Sequence, residues 1–420
     1  MRIHCPIRHW SSARNQWTDS IPKTWNGSGW RFPTGLDAMT LRQSPFDPFI
    51  GRGSIWQRDV SAMPLATNSA AQATWVSTHI NYGSGYGSTS LNTSVANTHP
   101  IHPVFIDSRL DDTPYQVLNP TSYSSPVSTD LAGKQLMQQP VPLPAWVDST
   151  TMQNGQDSAL ALIDIGTGII REYYAVHPQS GFVNQYTCSA NAYSVFHPDP
   201  FVNGWPTGTY RTGTTTTDAY TTQCQVGQSS VVGMHNWLGW IDVAGSRRGE
   251  IDHAIAWTCA NLAVPTSTGE AIDQNGVRYT TVGPSWPAKG GDGDTANPSD
   301  EVPIHGQWAT LPNTLDLSDQ GPYPPFLRMV IKAIQKYGMV CTDSNNFVHA
   351  FNAEPGFYEK AFLGVDPWSS SGDLYKKYAA LNAYEGRSTS SPFDMSKFPW
   401  DKTMWAPRHW GAPERINEQP

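Results

Sequence analysis

The clearest hydrophobic pattern in the chain is a pair of apolar runs around a glycine-containing turn. It occupies residues 157–176, where ALALID is followed by IGTG and then by IIREYYAV. Two such runs predict a β-hairpin. A further apolar run, GEIDHAIAWTC at 249–259, predicts another strand. The segment KTWNGSGWRF at 23–32 predicts a smaller hairpin, because Asn-Gly between aromatic residues is a strong turn signal.

One segment has a convincing helical period. Its apolar residues at helical spacing are Phe326, Met329, Val330, Ala333, Ile334 and Tyr337. Prolines precede the segment and Gly338 follows it, as is usual at the two ends of a helix. We therefore predict a mainly β protein, a β-sandwich or jelly-roll-like domain with long loops and one notable α-helix at about 325–337.

The distribution of tryptophan and of β-type patterns predicts three regions. Residues 1–50 are a Trp-rich N-terminal attachment segment, residues 51–375 a β-rich main domain, and residues 376–420 an irregular C-terminal extension. The first region carries four tryptophans in a short stretch, which favours burial against a partner chain.

Composition removes several classes of protein. Only 15% of the 420 residues are charged and 11% are aromatic, which is unlike a disordered chain. The formal net charge of −8 argues against sequence-independent binding of nucleic acid. There is no apolar run of 18 residues, so we predict no membrane span. The five cysteines do not form a recognisable disulfide framework, and whether Cys188 and Cys224 pair stays open.

Several segments, taken in order, resemble a mostly uncharacterised family of secreted and surface proteins of actinobacteria and other microbes. They are SIWQRDVSAMPLATNSA (54–70), DSALALIDIGTGIIREYYAV (157–176), GEIDHAIAWT (249–258), the helix-containing segment 304–346 and SKFPWDKTMW (396–405). The resemblance implies a carbohydrate-facing extracellular β-fold without a firmly known reaction. The chain departs from the pattern at Ala159, where the family often has a histidine, and this puts any role of that histidine in doubt.

A second resemblance concerns the N-terminal region. The element WNGSGW is similar to a short element of minor tail proteins of actinobacterial phages. The N-terminus is basic but lacks the apolar core of a signal peptide. Together these features predict a virion protein of the phage tail, made in the host cytoplasm without a signal peptide.

Three residues are candidates for catalysis if the protein is an enzyme. Asp164 and Glu172 flank the predicted hairpin turn, and two facing carboxylates can act as acid and base on a sugar. The alternative is a turn residue and a surface ion pair. His253 is the best candidate for a general base, and the alternative is a hydrogen-bonded core histidine. Because neighbouring strand residues point to opposite faces, Asp252 and His253 are not expected to act as a direct pair.

Four residues are candidates for ligand binding. His235, Trp237 and Trp240 lie together in GMHNWLGW and could line a sugar-binding groove. The fourth candidate is Asp252, because either it or its neighbour His253 is expected to face a core or a cleft. The alternative is tryptophan packing in the core. We predict no cofactor, and the alternative is a calcium ion at Asp292 and Asp294, where acids alternate with glycine but the EF-hand spacing is missing.

The leading functional hypothesis is a structural minor tail protein, at the tail tip or in a fibre, that contacts a host cell-envelope glycan. Its expected partners are other phage tail proteins, the host surface glycan and further copies of itself, since multiple copies raise avidity. One alternative is a carbohydrate-active hydrolase or lyase, so whether the chain is an enzyme stays uncertain. The other is a purely structural tail component without a ligand.

Overall fold

The structure is a computed structural model. It describes residues 55–82, 87–93, 231–232, 234, 236–288, 290–356, 360, 364–412 and 415. It also describes Val176 and the backbone of the strands that lie between residues 8 and 31 and between residues 102 and 195.

The helices that the structure describes are short, and three of the four α-helices were not predicted. They are α1 (Ser69–Thr78), α2 (Val243–Arg248), α3 (Pro325–Tyr337) and α4 (Asp373–Tyr384). Three-residue or four-residue 3-10 helices lie at Ile55–Gln57, Asn236–Gly239 and Trp400–Lys402. None of the described helices is both long enough and apolar enough to cross a membrane.

The first thirteen strands in chain order are β1 (Arg8–Ser11), β2 (Gln16–Asp19), β3 (Thr24–Trp25), β4 (Trp30–Arg31), β5 (Ser90–Asn92), β6 (His102–Ile106), β7 (Tyr115–Pro120), β8 (Val141–Pro142), β9 (Leu160–Asp164), β10 (Ile169–Tyr174), β11 (His177–Pro178), β12 (Gln185–Cys188) and β13 (Ala190–Val195). All of these strands except β5 belong to four small sheets. Two sheets have two strands each, β1-β2 and β3-β4, and two have four strands each, in the orders β13-β10-β9-β6 and β11-β12-β7-β8. The antiparallel pairs β9-β10 and β3-β4 confirm the two predicted hairpins.

The other strands are β14 (Ile255–Cys259), β15 (Thr268–Ile272), β16 (Arg278–Val282), β17 (Trp308–Thr310), β18 (Met339–Ser344), β19 (Ala350–Asn352) and β20 (Met404–Trp405). With β5 they build a mixed six-stranded sheet in the order β20-β17-β18-β14-β19-β5, beside the hairpin β15-β16. The chain thus contains several β-sheets beside its helices, and the largest of these sheets is mixed, with parallel and antiparallel pairs.

The central pair of this sheet is parallel and buried. Every residue of β14 is buried, and β18 pairs with it in parallel. A parallel strand that is covered on both faces reads as a continuous apolar run, which is why IAWTC was recognisable in the sequence. Helix α3 leads directly into β18, and Gly338 at the junction has a φ of 80°, a conformation that favours glycine. The predicted helix at 325–337 is confirmed.

Aromatic side chains from distant segments fill the core. The Trp257 ring of β14 lies 4.7 Å from Trp400 and 6.2 Å from Trp405, measured between ring centroids. Trp400 also stacks on Phe351 of β19 at 5.8 Å. Trp400 and Trp405 are therefore part of the same core as the central strand.

The predicted boundary at residue 375 was wrong. Helix α4 runs through this position, and its Leu374 and Tyr378 are buried in the core. Strand β20 then completes the six-stranded sheet beside β17. Residues that look irregular in sequence are consequently an integral part of the fold, because their order comes from burial of tryptophan and not from a local period.

Candidate functional site

The two hairpin carboxylates were expected to face each other, and the register of the strands contradicts this. Asp164 is opposite Ile169, whereas Glu172 is opposite Ala161. The two positions are thus offset by three residues along the hairpin, which is an odd number. Since faces alternate along a strand, positions 164 and 172 belong to opposite faces of the sheet. The two positions therefore do not share one face of the sheet.

The predicted sugar-binding tryptophans are core residues. Trp237 is 5% exposed and Trp240 is 1% exposed. The turn that carries them is packed tightly, because a Cβ at Gly239 would lie only 2.2 Å from the Trp56 ring. Neither indole face is available for stacking on a sugar, so the ligand-binding prediction for this pair was wrong. His235 lies outside the described residues.

Asp252 and His253 come together, contrary to the sequence prediction. They lie in a bend before β14, which begins only at Ile255, so the alternation of a strand does not apply to them. One ligand atom from each converges with one from Asp242, and the three atoms all lie within 4.8 Å of one another. Among the described residues this is the one group of three or more acidic, histidine or cysteine side chains with such a geometry.

Asp242 was missed in the sequence, although its signal is present. The residue is the N-cap of α2, and its Oδ1 accepts a hydrogen bond from the backbone N–H of Gly245. The helix ends at Gly249, whose φ of 86° is typical of a glycine C-cap. An aspartate at the start and a glycine at the end are usual signals of a short helix. These two signals could have identified Asp242 as a helix cap whose carboxylate is held by the backbone.

The cap bond also directs the second oxygen of Asp242. With Oδ1 held by Gly245, Oδ2 lies 3.8 Å from Nε2 of His253. Gly245 is needed for this arrangement, because a Cβ there would lie 2.2 Å from Oδ1 and 2.9 Å from Oδ2. The side chain of Asp242 is 2% exposed and that of His253 is fully buried.

The tautomer of His253 follows from its backbone contact. Nδ1 lies 2.8 Å from the carbonyl oxygen of Ala254. A carbonyl oxygen only accepts, so Nδ1 carries the proton and, in the neutral ring, Nε2 carries the lone pair. This lone pair is on the side of the ring near Asp242, where it can bind a metal ion or accept a proton.

A second polar group surrounds Asp292, one of the two acids considered for calcium. Its Oδ1 accepts a hydrogen bond of 2.7 Å from Ser344 and lies 3.2 Å from Nε2 of the buried His305. Asp294 instead accepts a bond of 2.7 Å from the hydroxyl of Tyr82. The two acids contact different protein donors, and they do not belong to the three-residue group described above.

Asp292 and its neighbour Asp343 differ in protonation. Burial raises the pKa of Asp343 to about 8, and the negative charge of Asp292 acts in the same direction. Burial also acts to raise the pKa of Asp292, but its bonds with His305 and Ser344 outweigh this, and its pKa is lowered. One carboxyl group is therefore protonated and the other ionised at neutral pH, which is the division of roles that acid–base catalysis requires.

The chain was compared with protein-family models, with curated proteins and with solved structures, and none of the three comparisons finds a match.

Proposed function

We propose that the chain is a structural minor tail protein of a phage of actinobacteria, at the tail tip or in a fibre, that contacts a host cell-envelope glycan as a homo-oligomer. The resemblance of WNGSGW to phage tail elements and the low charge of the chain support this proposal. The finer fold proposed with it is a sandwich in which two of the β-sheets pack face to face.

One structural observation favours binding over the catalysis first considered. Asp164 and Glu172 are on opposite faces of one sheet, whereas His253 lies before β14 of the separate six-stranded sheet. A glycosidase of the two-carboxylate type needs its acid and base on the two sides of one sugar bond. The hairpin positions do not meet this requirement, which supports an adhesin.

A second candidate function is a carbohydrate-active hydrolase, and Asp292 and Asp343 favour it. Asp343 would act as the acid that protonates the leaving oxygen of a glycosidic bond, and ionised Asp292 would act as base or nucleophile. The side chain of Asp292 is 49% exposed, so it is open to a substrate.

The test uses the labelled full-length chain on intact actinobacterial cells and on their purified envelope polysaccharide. Retention on cells, loss of retention after the polysaccharide is stripped, and unchanged chain length of the polysaccharide are expected for the adhesin. Antibody labelling of the tail in electron micrographs of virions is expected as well.

Variants separate the two functions. Shortening of the polysaccharide that disappears in Asp343→Asn and Asp292→Asn, but persists in the exposed control Asp316→Asn, would overturn the adhesin in favour of the hydrolase. Absence of both retention and shortening would overturn the glycan contact and leave a purely structural tail component.

A further inference from the structure

The group formed by Asp242, Asp252 and His253 contains buried carboxylate oxygens without compensation. Oδ2 of Asp242 and Oδ1 of Asp252 are both inaccessible to water, and neither accepts a hydrogen bond from any residue that the structure describes. A buried acceptor without a donor destabilises the folded chain, and a charged acceptor does so more strongly. Two such oxygens on residues of one group are therefore expected to have a partner that carries positive charge.

No basic side chain in the described part of the chain supplies that charge. Asp242 has an ion-pair contact only with His253 there, and Asp252 has none. Arg247 of the same helix pairs with Asp373, and Lys377 donates to the backbone oxygens of Ser246 and Arg247. Both of these cations are thus engaged elsewhere, and neither has an ion-pair contact with Asp242 or Asp252.

The geometry matches the requirements of a bound cation. Ligand atoms at about 2.0–2.1 Å from a tetrahedral zinc ion are about 3.4 Å from one another. Oδ2 of Asp242 and Nε2 of His253 are 3.8 Å apart, so this pair needs a movement of only a few tenths of an ångström to share an ion. The ligand atom of Asp252 lies within 4.8 Å of both and would move by at most about 1.4 Å. The bond from Nδ1 of His253 to the Ala254 carbonyl is the outer contact that metal-binding histidines usually make.

We propose that Asp242, Asp252 and His253 bind a single divalent transition-metal ion, with zinc as the best match. One imidazole and two carboxylates are typical ligands of zinc, whereas calcium requires six to eight oxygen ligands. Three protein ligands leave a fourth position for water or for an oxygen of a bound molecule. The ion also joins the start of α2 to the segment that enters β14. This proposal is independent of glycan binding.

The primary test is a titration of the full-length chain with zinc chloride, after removal of metals with EDTA, followed by calorimetry. One zinc ion per chain is expected to bind, and calcium is expected to bind far more weakly. Asp242→Asn keeps the helix cap, because asparagine caps as well as aspartate, but it replaces the ligand oxygen with an amide. It is expected to weaken zinc binding by more than about 100-fold, since loss of an outer contact alone costs about 10–100-fold.

The matched control is Asp366→Asn. Asp366 also accepts a backbone hydrogen bond through its side chain, from Trp368, but it lies outside the three-residue group. Its substitution is expected to leave zinc affinity unchanged within about twofold. Thermal melts in EDTA show whether both variants fold.

A second readout does not depend on the variants. Cobalt added to the metal-free wild-type chain is expected to give visible absorption bands of a site with four ligands, and zinc is expected to remove them. Failure of the wild-type chain to bind either zinc or cobalt overturns the proposal. Zinc affinity that survives in folded Asp242→Asn overturns it as well, because the ion would then be bound elsewhere.

Discussion

Asp343 makes the stability of the folded chain dependent on pH in a direction that can be measured. Its pKa rises from 3.8 to about 8 on folding. Between these values the folded chain retains a proton that the unfolded chain has lost. Its contribution to stability is complete below about pH 4 and is lost progressively as pH rises to about 8. The perturbation that removes this contribution is Asp343→Asn, which resembles the protonated carboxyl group and does not titrate.

The magnitude follows from the linkage of one proton. A difference of one bound proton changes the free energy of unfolding by about 1.4 kcal/mol per pH unit. Between pH 5 and pH 7 the stability of Asp343→Asn relative to the wild-type chain is therefore expected to increase by about 2.7 kcal/mol. This change does not depend on any constant effect of the asparagine, because such an effect is the same at each pH.

The assay is urea unfolding of both proteins at several pH values from 5 to 8. Asp316→Asn is the matched control, because Asp316 is exposed, its pKa is lowered by hydrogen bonds with Ser318, and it is ionised in both states over this range. The free energy of unfolding of the control is expected to depend on pH in the same way as that of the wild-type chain. If the free energy of unfolding of Asp343→Asn also follows the wild-type pH dependence, Asp343 is ionised in the folded chain. The protonation of Asp343 and the hydrolase that depends on it are then both refuted.

Three further predictions concern the packing of the fold. Arg408→Met leaves Asp300 without its fully buried partner and is expected to lower the free energy of unfolding by about 3–5 kcal/mol. Addition of Asp300→Asn is expected to restore part of this loss. An unchanged midpoint of urea unfolding in Arg408→Met would contradict the prediction. Gly239→Ala forces a Cβ against the Trp56 ring and is expected to cost about 1–3 kcal/mol, seen as a lower melting temperature. Deletion of 396–420 removes Trp400 and strand β20 and is expected to abolish cooperative melting, whereas deletion of 416–420 alone is expected to preserve it; equal melts would refute the role of the C-terminal segment in the core.

Local signals in the sequence were sufficient where one segment determines its own structure. Helix α3 combines apolar spacing with proline before it and glycine after it, and hairpin β9-β10 combines two apolar runs with a glycine turn. In contrast, β19 has three residues and β20 has two. Strands of this length have no recognisable period, and they exist because the tryptophan core holds them against longer strands. The C-terminal boundary was misplaced for this reason.

The candidate site was predictable in part. The sequence identifies Asp252 and His253 as candidates, but the apolar run 249–259 predicts a strand that includes both and would place them on opposite faces. Gly249 ends helix α2 and strand β14 starts at Ile255. Residues between them are not in a strand, so their side chains need not alternate between two faces. Asp242 precedes Asp252 by ten residues, and helix α2 lies between them in the sequence. The two cap residues of α2, Asp242 and Gly249, predict a short helix that ends just before Asp252. Such a helix predicts that Asp242 lies near Asp252 and His253.

The buried tryptophans change where a glycan contact should be sought. Trp237, Trp240 and Trp257 are each at most 5% exposed, so in the described part of the chain these tryptophans belong to the core and do not indicate a sugar-binding surface. Within the described residues, the side chain of Asp292 is accessible to solvent. The hydroxyl group of Ser344 contacts it, and the carboxylate of Asp294 follows two residues later in the sequence. A sugar bound there would be recognised by hydrogen bonds to its hydroxyl groups, and its affinity would respond to Asp292→Asn. A tryptophan-stacked sugar would be insensitive to that change, so the same variant that tests catalysis also distinguishes the two modes of binding.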